Sequence, residues 1–336
     1  MTLNSGGNSG GNDSTVETLS NMQSKHQKRT GTQNNVQLEQ KANQVILDDF
    51  LKEMDKQDLA EKIAAAFPRH LRNDEDNGIT RARMWANAVA SMARVKIEIS
   101  KCSIKSVTGA LRLCAQLGLE PGPLGLVHLY PRFNTTFGEY ELEMRVGYRG
   151  YLDLIRRTGN VGDIDAVIVH EKDQFGLRKK SVVANGRLMY IWDLEHIPHL
   201  GGDPGKKMRV YATVNFLNSD AHIEVMEERD IDRVKNMTKT RDTKGKIVGP
   251  WLEHEDEMWR VAVVRRLKKW VQMSTEISLA ETVDNLSDAG ERQRLDSFAE
   301  GDMMSIMGNY REENAKLIES AFQSQSSDGQ RIIYED

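Results

Sequence analysis

The sequence predicts an α+β fold, with a central antiparallel sheet flanked by helices. Apolar residues recur at helical spacing from about Asn43 to Gly118, and runs typical of half-buried strands then continue as far as Glu227. Helical spacing returns after Pro250. Because helices, strands and helices come in separate blocks, this order favours an α+β fold over a βαβ alternation with a parallel sheet.

The N-terminal helices are predicted over three amphipathic stretches, VILDDFLKEM, DLAEKIAAAFPRH and ITRARMWANAVASMARVKIEI. Pro68 is expected to end the second of them. Ser103 is expected to cap a further helix, because its hydroxyl can accept a backbone N–H of the first turn. Gly118 is expected to end that helix.

A loop punctuated by proline and glycine, PGPLGLVHLYPRF, leads from these helices into the strands. Strands are predicted at YELEMRVGY, DIDAVIVHE, GRLMYIWDLE, KMRVYATVNFLN and AHIEVME. A short helix from Tyr151 to Thr158, closed by Gly159, follows the first strand, and EERDIDRVKNMTK forms a helix after the last. After Pro250, one long helix is predicted over WLEHEDEMWRVAVVRRLKKWVQM.

Composition divides the 336 residues into a core and two tails. Residues 1–42 are rich in Gly, Ser, Asn and Gln and are predicted to be disordered, because they cannot bury enough apolar surface to offset the entropy of ordering. Residues 43–285 form the predicted core. Residues 286–336 form a predicted acidic tail, in which an amphipathic stretch near 303–322 is expected either to dock a partner or to be a packed or frayed helix.

The formal charge of -4 is unevenly distributed. From Ser287 onward the chain carries 11 acidic and 5 basic residues, so the rest of the chain is mildly basic. Such a balance occurs in nucleic-acid-binding proteins and in others. The chain has no apolar run of about 18 residues and no leader-like N-terminus, which predicts neither a membrane span nor secretion. Two cysteines, Cys102 and Cys114, predict a reduced, cytoplasmic protein.

The first basic motif is VGYRGYLDLIRRTGNV, at residues 146–161. At about 100° per residue, Arg149, Arg156 and Arg157 share one side of the short helix, and its apolar residues occupy the other. Two interpretations remain open at this point. The guanidinium groups could bind phosphates, or Asp153 could pair with Arg149 and Arg157 at four-residue spacing.

Glycines at the entry of this helix, Gly147 and Gly150, suggest close backbone approach, and free N–H groups there could meet a phosphate. By contrast, GGDPGKK at residues 201–207 lacks the spacing and the hydroxyl of an ATP-binding phosphate loop, and it does not open a helix. The sequence therefore argues against an ATPase and leaves a phosphate contact at this helix open.

The second basic motif is the late part of the long helix. Its first turns are acidic and its last turns are basic, which suits the helix macrodipole without any ligand. The apolar side consists of Trp259, Val263, Val264, Leu267, Trp270 and Val271. The opposite side carries Arg265, Arg266, Lys268 and Lys269, while Arg260 falls on the apolar side. Four clustered cations repel one another unless an anion such as a phosphate backbone lies opposite them, and a solvated face is the equal alternative.

Further candidate cations lie in loops and at strand ends, at Arg132, Lys207, Arg209 and Lys246. Together with the rings of Tyr148 and Tyr151, they provide what single-strand binding needs, which is positive charge for the backbone and flat faces for the bases.

Two kinds of catalytic site are weaker alternatives. Acidic residues at 253, 255, 256 and 257 resemble part of a two-metal nuclease, but consecutive acids on a helix point in different directions. His196 and His199 could bind zinc with Asp193, but Pro198 prevents the helix that would align them. The alternatives kept open are a metal-dependent DNA nuclease and a phage assembly protein that does not need DNA.

Several of these motifs together resemble the RecT family of phage single-strand annealing proteins. The resemblance runs from about Phe67 to Ser278 and rests on FPRH, CAQLGLEPGPLGLVHLYPRF, VGYRGYLDLIRRTG, YATVNF, HIEVME, GPW and EMWRVAVVRRLKKW. It implies an annealing core similar to that of the RecT and Red beta superfamily. Matched by motif, the DNA groove would include Tyr148, Arg149, Arg156, Arg157, Arg260, Arg265, Arg266 and Lys269, with Lys268 and the loop after Arg132 less certain.

The resemblance implies an activity that uses no ATP. Such proteins coat single-stranded DNA, pair it with its complement and hold the nascent duplex on a ring or helical filament of subunits. A 5′-to-3′ exonuclease of the phage is the implied partner, and the host single-strand-binding protein is a second candidate. The implied setting is the cytoplasm of a bacterial host. No cofactor is required, and a modulating effect of Mg²⁺ is left open.

Overall fold

The structure, a computed structural model, describes residues 37–72, 75–135, 137–184, 186–238, 241, 244–247 and 249–295. The predicted tail helix near 303–322 and most of the predicted N-terminal tail lie outside these ranges. Residues 37–42 had been assigned to that tail, but they belong to a helix that includes residues 37–54, here called α1.

A layer of helices forms the N-terminal half of the core. It comprises α1, α2 (Gln57–Ala64), α3 (Ile79–Val95) and α4 (Ile104–Leu117). Ser103 caps α4, since its Oγ accepts the backbone N–H of Ser106, and Gly118 ends α4 with a φ of 63°. Both predicted ends of α4 are confirmed. Helix α3 is shorter than expected because the backbone becomes extended at Lys96.

In the part of the chain that the structure describes, the strands form three antiparallel sheets. They are β1 (Val127–Asn134), β2 (Glu139–Val146), β3 (Val161–His170), β4 (Gln174–Ala184), β5 (Arg187–Ile197), β6 (Lys207–Phe216) and β7 (His222–Glu227). The central sheet has the order β3-β6-β7, and the other two are the hairpins β1-β2 and β4-β5. The predicted α+β class is confirmed, although the strands are divided among three sheets.

Two strands were missed by the sequence patterns. β1 carries Pro131, which is tolerated because β1 pairs with β2 alone and is therefore an edge strand. β4 carries three consecutive basic residues, Arg178 to Lys180, which mask its alternation. Its Lys180 forms an ion pair with Asp193 on β5. Pairing between neighbouring strands therefore stabilises a segment whose composition suggests a loop.

The remaining helices pack on the strands. They are α5 (Tyr148–Arg156), α6 (Glu228–Met237), α7 (Pro250–Glu253), α8 (Glu255–Leu267) and α9 (Thr275–Asp288). The long helix predicted after Pro250 is broken at His254, whose φ of -138° and ψ of 52° are not helical. It ends in a 3₁₀ turn at Lys268–Trp270. Helix α8 contacts α5, β3 and β6, which places it at the centre of the molecule.

The core extends beyond the predicted boundary at residue 285, which falls inside α9. Gln293 is 1% exposed. Its side-chain amide donates to the carbonyl of Met144 and its Oε1 accepts the N–H of the same residue. The segment after α9 is thereby hydrogen-bonded to β2 as far as the structure describes it. No helix in the described ranges is both long and apolar enough to cross a membrane.

Candidate nucleic-acid interface

A groove of about 830 Å³ opens between α3, the β1-β2 hairpin and the α7-α8 region. The residues that line it include Val95, His128, Arg145, Glu253, His254 and Met258. The imidazole rings of His128 and His254 lie parallel, with centroids 6.2 Å apart. Burial and the neighbouring His254 lower the pKa of His128, and Glu257 only partly opposes them, so His128 is neutral at pH 7.

Next to this groove, beside its lining residues Gly147 and Glu257, two arginines contact one aromatic ring. The guanidinium carbon of Arg149 lies 5.8 Å from the ring centre of Tyr148, and that of Arg260 lies 5.5 Å from it. Arg149 Nε donates to the Tyr148 hydroxyl at 3.1 Å. Arg260 bonds at 3.0 Å to Glu257, which lines the groove. We call Tyr148, Arg149 and Arg260 the arginine–tyrosine edge.

The edge joins the two basic helices named by the sequence. Tyr148 and Arg149 belong to α5, and Arg260 belongs to α8, which packs against it. Arg149 is exposed, and Tyr148 and Arg260 are half-buried. The unusual position of Arg260 in the helical pattern is thereby explained, because the side of α8 that it occupies faces α5. These three predicted site residues lie together at a surface that a ligand can reach.

The other two arginines of α5 are used differently. Arg156 donates to the carbonyl of Ile164 at 2.9 Å. Arg157 donates to the carbonyls of Leu117 and Gly118 at 2.5 and 2.7 Å and pairs with Asp153. Arg157 therefore satisfies the C-terminal carbonyls of α4. Both arginines remain exposed at the surface, but their guanidinium groups join α5 to neighbouring elements.

The glycines at the entry of α5 serve packing, which corrects their interpretation as a phosphate approach. A Cβ at Gly147 would lie 2.2 Å from the carbonyl oxygen of Gly125, and one at Gly150 would lie 2.2 Å from that of Leu126. The N–H of Gly147 also donates to the Leu126 carbonyl. The close approach is thus between α5 and the loop before β1.

Tyr151 is wrong as a DNA-contacting residue, because its side chain is 0% exposed. Its hydroxyl donates to Asp284 Oδ2 at 2.8 Å. Burial, together with the charge of Asp284, raises the pKa of Tyr151 well above its ordinary value. A buried ring of this kind stabilises the packing of α5 on α9 and has no face available for a base.

The late cations of α8 do not share one outward surface, which corrects the predicted basic arc. Arg265 bonds to Asp288 at 2.7 Å, and Arg266 bonds to Glu224 at 3.1 Å. Lys268 is 4% exposed and pairs with Glu281. The helix is buried on nearly all sides, so Arg265, Arg266 and Lys268 are each directed to a different neighbouring carboxylate. Of the four, Lys269 and Arg266 are exposed.

Arg132 and Lys207 are held by groups of the protein itself. Arg132 bonds to Glu143 at 3.0 Å and donates to the carbonyl of Gly290 at 2.7 Å. Lys207 Nζ lies 2.8 Å from Glu255 and 2.7 Å from Asp256. The same contacts engage two carboxylates of the acidic turn that suggested a nuclease, while Glu257 of that turn pairs with Arg260.

The remaining candidates are scattered. The guanidinium carbon of Arg209 lies 5.1 Å from the ring centre of Phe175 at the base of the β4-β5 hairpin. Lys246 is exposed in the loop before α7. His196 bonds to Asp173 rather than to Asp193, at 3.2 Å. Within the described ranges, no group of three or more His, Cys, Asp or Glu side chains is arranged to hold a metal ion.

A buried ionic network beside the groove was missed by the sequence analysis. Arg145 is 7% exposed and bonds to Asp288 at 2.7 Å, where Arg265 also binds. Asp284 is 2% exposed and accepts the N–H of Val146. The available signal was the alternation Glu141, Glu143, Arg145, which places three charges on one face of β2.

A known protein family matches the part of the chain that contains all of the motifs that carry the resemblance except FPRH. The model of the RecT family matches residues 82–296. The chain is also similar to Protein RecT of Escherichia coli (strain K12), with 30% identity over 243 residues that cover 70% of this chain and 80% of that protein. This chain belongs to the RecT family. Membership makes it a recombination protein of the strand-annealing kind. The matched range of the RecT family spans α5, α8, the groove and the buried network.

Proposed function

We propose that this RecT-family protein binds single-stranded DNA along the groove and anneals it to its complement without ATP. The observation that carries the proposal is the arginine–tyrosine edge, where cations from α5 and α8 meet at one aromatic ring beside an open groove. Cations neutralise phosphates, and an aromatic face accepts an unpaired base. The groove supplies room for bases to be displayed to a second strand.

The chemistry of annealing needs no catalytic group. Base stacking in a duplex contributes about 1.4 kcal/mol per step, so pairing is favourable once two strands are brought together. The protein has to reduce phosphate repulsion and keep bases unpaired until a complement arrives. Contacts to phosphate position a strand without selecting its sequence, which suits a protein that anneals any complementary pair.

Self-association and partners belong to the same proposal. Copies of the chain assemble as a ring or helical filament along the DNA, inside a bacterial host cell. A 5′-to-3′ exonuclease supplies the single strand, and the host single-strand-binding protein is a second partner. The stretch at 303–322, which lies outside the described residues, is the proposed docking segment. No cofactor is required, and Mg²⁺ acts at most as a modulator.

An annealing assay tests the proposal directly. Two complementary oligonucleotides, labelled with a fluorophore and a quencher, are mixed with the protein in the absence of ATP, once with a chelator and once with Mg²⁺. We expect pairing to be faster with the protein than without it in both conditions. Pairing that stays at the protein-free rate in both would contradict the proposal.

The same samples separate the two alternative functions. A metal-dependent nuclease would shorten the labelled strand on a denaturing gel when Mg²⁺ or Mn²⁺ is present. An assembly protein that ignores DNA would form particles of equal size with and without oligonucleotide in light scattering. We expect intact strands and particles whose size depends on DNA.

A further inference from the structure

Trp270 is exposed although the helical pattern places it on the apolar side of α8. Its relative exposure is 58%, against 4% for Trp259 on the same predicted side. The reason is local. Helix α8 ends at Leu267, and the following Lys268–Trp270 segment is a tighter 3₁₀ turn, in which successive side chains rotate away from the α-helical spacing. A large aromatic ring is thereby directed to the surface.

The ring of Trp270 is held in a defined orientation. Its Nε1 donates to Glu224 Oε1 at 2.7 Å, and the ring of His222 stacks on it with centroids 4.0 Å apart and planes inclined by 29°. Glu224 is in turn bonded to Arg266 at 3.1 Å. With one face on His222 and its N–H satisfied, the indole presents its other face to solvent.

The surroundings combine rings with positive charge. Trp192 meets His222 edge-on at 6.2 Å, and Lys179 Nζ lies 5.0 Å from the ring centre of Trp192. Lys269 is exposed beside Trp270, and the side chain of Arg266 is 46% exposed. A surface that docks another protein is depleted of lysine at its centre. An open aromatic face among cations is what an unpaired nucleobase and its phosphates require.

The geometry points to a second contact for single-stranded DNA outside the groove, in which an unpaired base stacks on Trp270 and nearby phosphates meet Arg266 and Lys269. The contact lies about 20 Å from Glu257, as judged from the thirteen residue steps of helix and turn that lead from Glu257 to Trp270. It rests on the proposed function, since its ligand is the same polymer. It adds a stacking site at the far end of α8, so one copy would contact DNA at two separated places.

Photo-cross-linking tests this contact. An oligothymidylate substituted with 5-iodouracil is irradiated with the full-length protein, and the cross-linked peptides are identified by mass spectrometry. We expect a cross-link at Trp270. The Trp270→Ala variant should lose it and bind the oligonucleotide about tenfold more weakly. Trp270→Phe, which keeps a flat ring, should retain most of the affinity. Met273→Ala removes an exposed apolar side chain nearby and should change nothing.

A double variant, Arg149→Gln with Arg260→Gln, separates this contact from the groove. Its cross-link at Trp270 should persist, because Trp270 lies ten residues beyond Arg260, about 15 Å along the helix and the following turn. If the wild-type protein fails to accelerate annealing but cross-links at Trp270, the proposed function is wrong and the contact stands. Absence of Trp270 from the cross-linked peptides would overturn the contact. Tryptophan emission that changes with protein concentration but not with DNA would also overturn it, and would indicate that a second copy covers this face.

Discussion

Arg149 and Arg265 come from the two helices that carry the basic motifs, and the protein uses them in opposite ways. Arg149 is exposed and bonds to the hydroxyl of Tyr148 beside the groove. Arg265 has a side-chain exposure of 20% and bonds to Asp288 and Asn285 of α9. The network around Asp288 joins Arg145 and Arg265 within the protein, whereas the arginine–tyrosine edge is available for a ligand. Clustered arginines in a sequence therefore do not by themselves identify a binding surface.

Removing Asp288 should have the largest effect on the free energy of unfolding. A small effect would contradict the contrast between the buried network and the arginine–tyrosine edge. Asp288→Ala leaves Arg145 and Arg265 close together without their shared carboxylate. We expect a loss of about 3 kcal/mol in the free energy of unfolding, because buried charges would lose their partner. Urea unfolding measures it. Asp232→Ala, at an exposed position of α6, is the control and should stay within about 0.5 kcal/mol.

A methyl group at Gly150 should displace the backbone of α5 and so affect both the stability of the fold and the arginine–tyrosine edge. The added Cβ would lie 2.2 Å from the carbonyl oxygen of Leu126, so α5 must shift. We expect Gly150→Ala to lower the free energy of unfolding by about 2 kcal/mol and to weaken DNA binding. Gly176→Ala meets no atom closer than 4.0 Å and is the matched control. Unchanged unfolding in Gly150→Ala would show that the loop before β1 adapts freely.

Neutralising the edge should affect binding without affecting stability. Arg149→Gln with Arg260→Gln should weaken single-strand binding by about 1.5 kcal/mol per site, the value of a hydrogen bond to a charged group. The slope of log K against log salt should become shallower by about 0.7 for each phosphate that the protein no longer neutralises. Fluorescence anisotropy across a salt series measures both. Arg265→Gln is the comparison variant, because it should lower the free energy of unfolding more than it weakens DNA binding. Equal binding by the double variant and the wild type would remove the edge from the proposed site.

The smallest predicted effect is a loss of stability of the β4-β5 hairpin at low pH. Asp173 has a side-chain exposure of 4% and accepts the backbone N–H groups of His199 and His170. Burial raises its pKa, but these bonds and His196 outweigh burial and lower the pKa from 3.8 to about 2.

Since the folded protein binds this proton more weakly than the unfolded chain, the contribution to stability is complete above pH 3.8 and is lost as the pH falls through about 2. The protection of the β4 and β5 amides against hydrogen exchange, relative to the unfolded chain, should therefore fall over that interval. In Asp173→Asn the protection should already be lower at pH 5, and it should change little on acidification. A hairpin equally protected in both proteins would show that other contacts hold it.

Much of the fold follows from local sequence patterns, because the signals that carry it act over a few residues. The cap at Ser103, the glycine at 118 and the alternation of β3, β6 and β7 all depend on such spacings, and the structure has them where they were predicted. The break at His254 was not predictable in this way, since WLEHEDEM is a good helical sequence on both sides of it.

The family motifs, the basic character of α5 and α8 and the α+β order were all determined by the sequence alone. Which arginines remain available was decided only by the tertiary structure, because the partners of the others come from distant parts of the chain: Asp288 for Arg265 and Leu117 for Arg157. A cation binds whichever carboxylate or carbonyl the packed elements bring within hydrogen-bonding distance, and that distance is set by the whole fold rather than by the spacing of neighbouring residues.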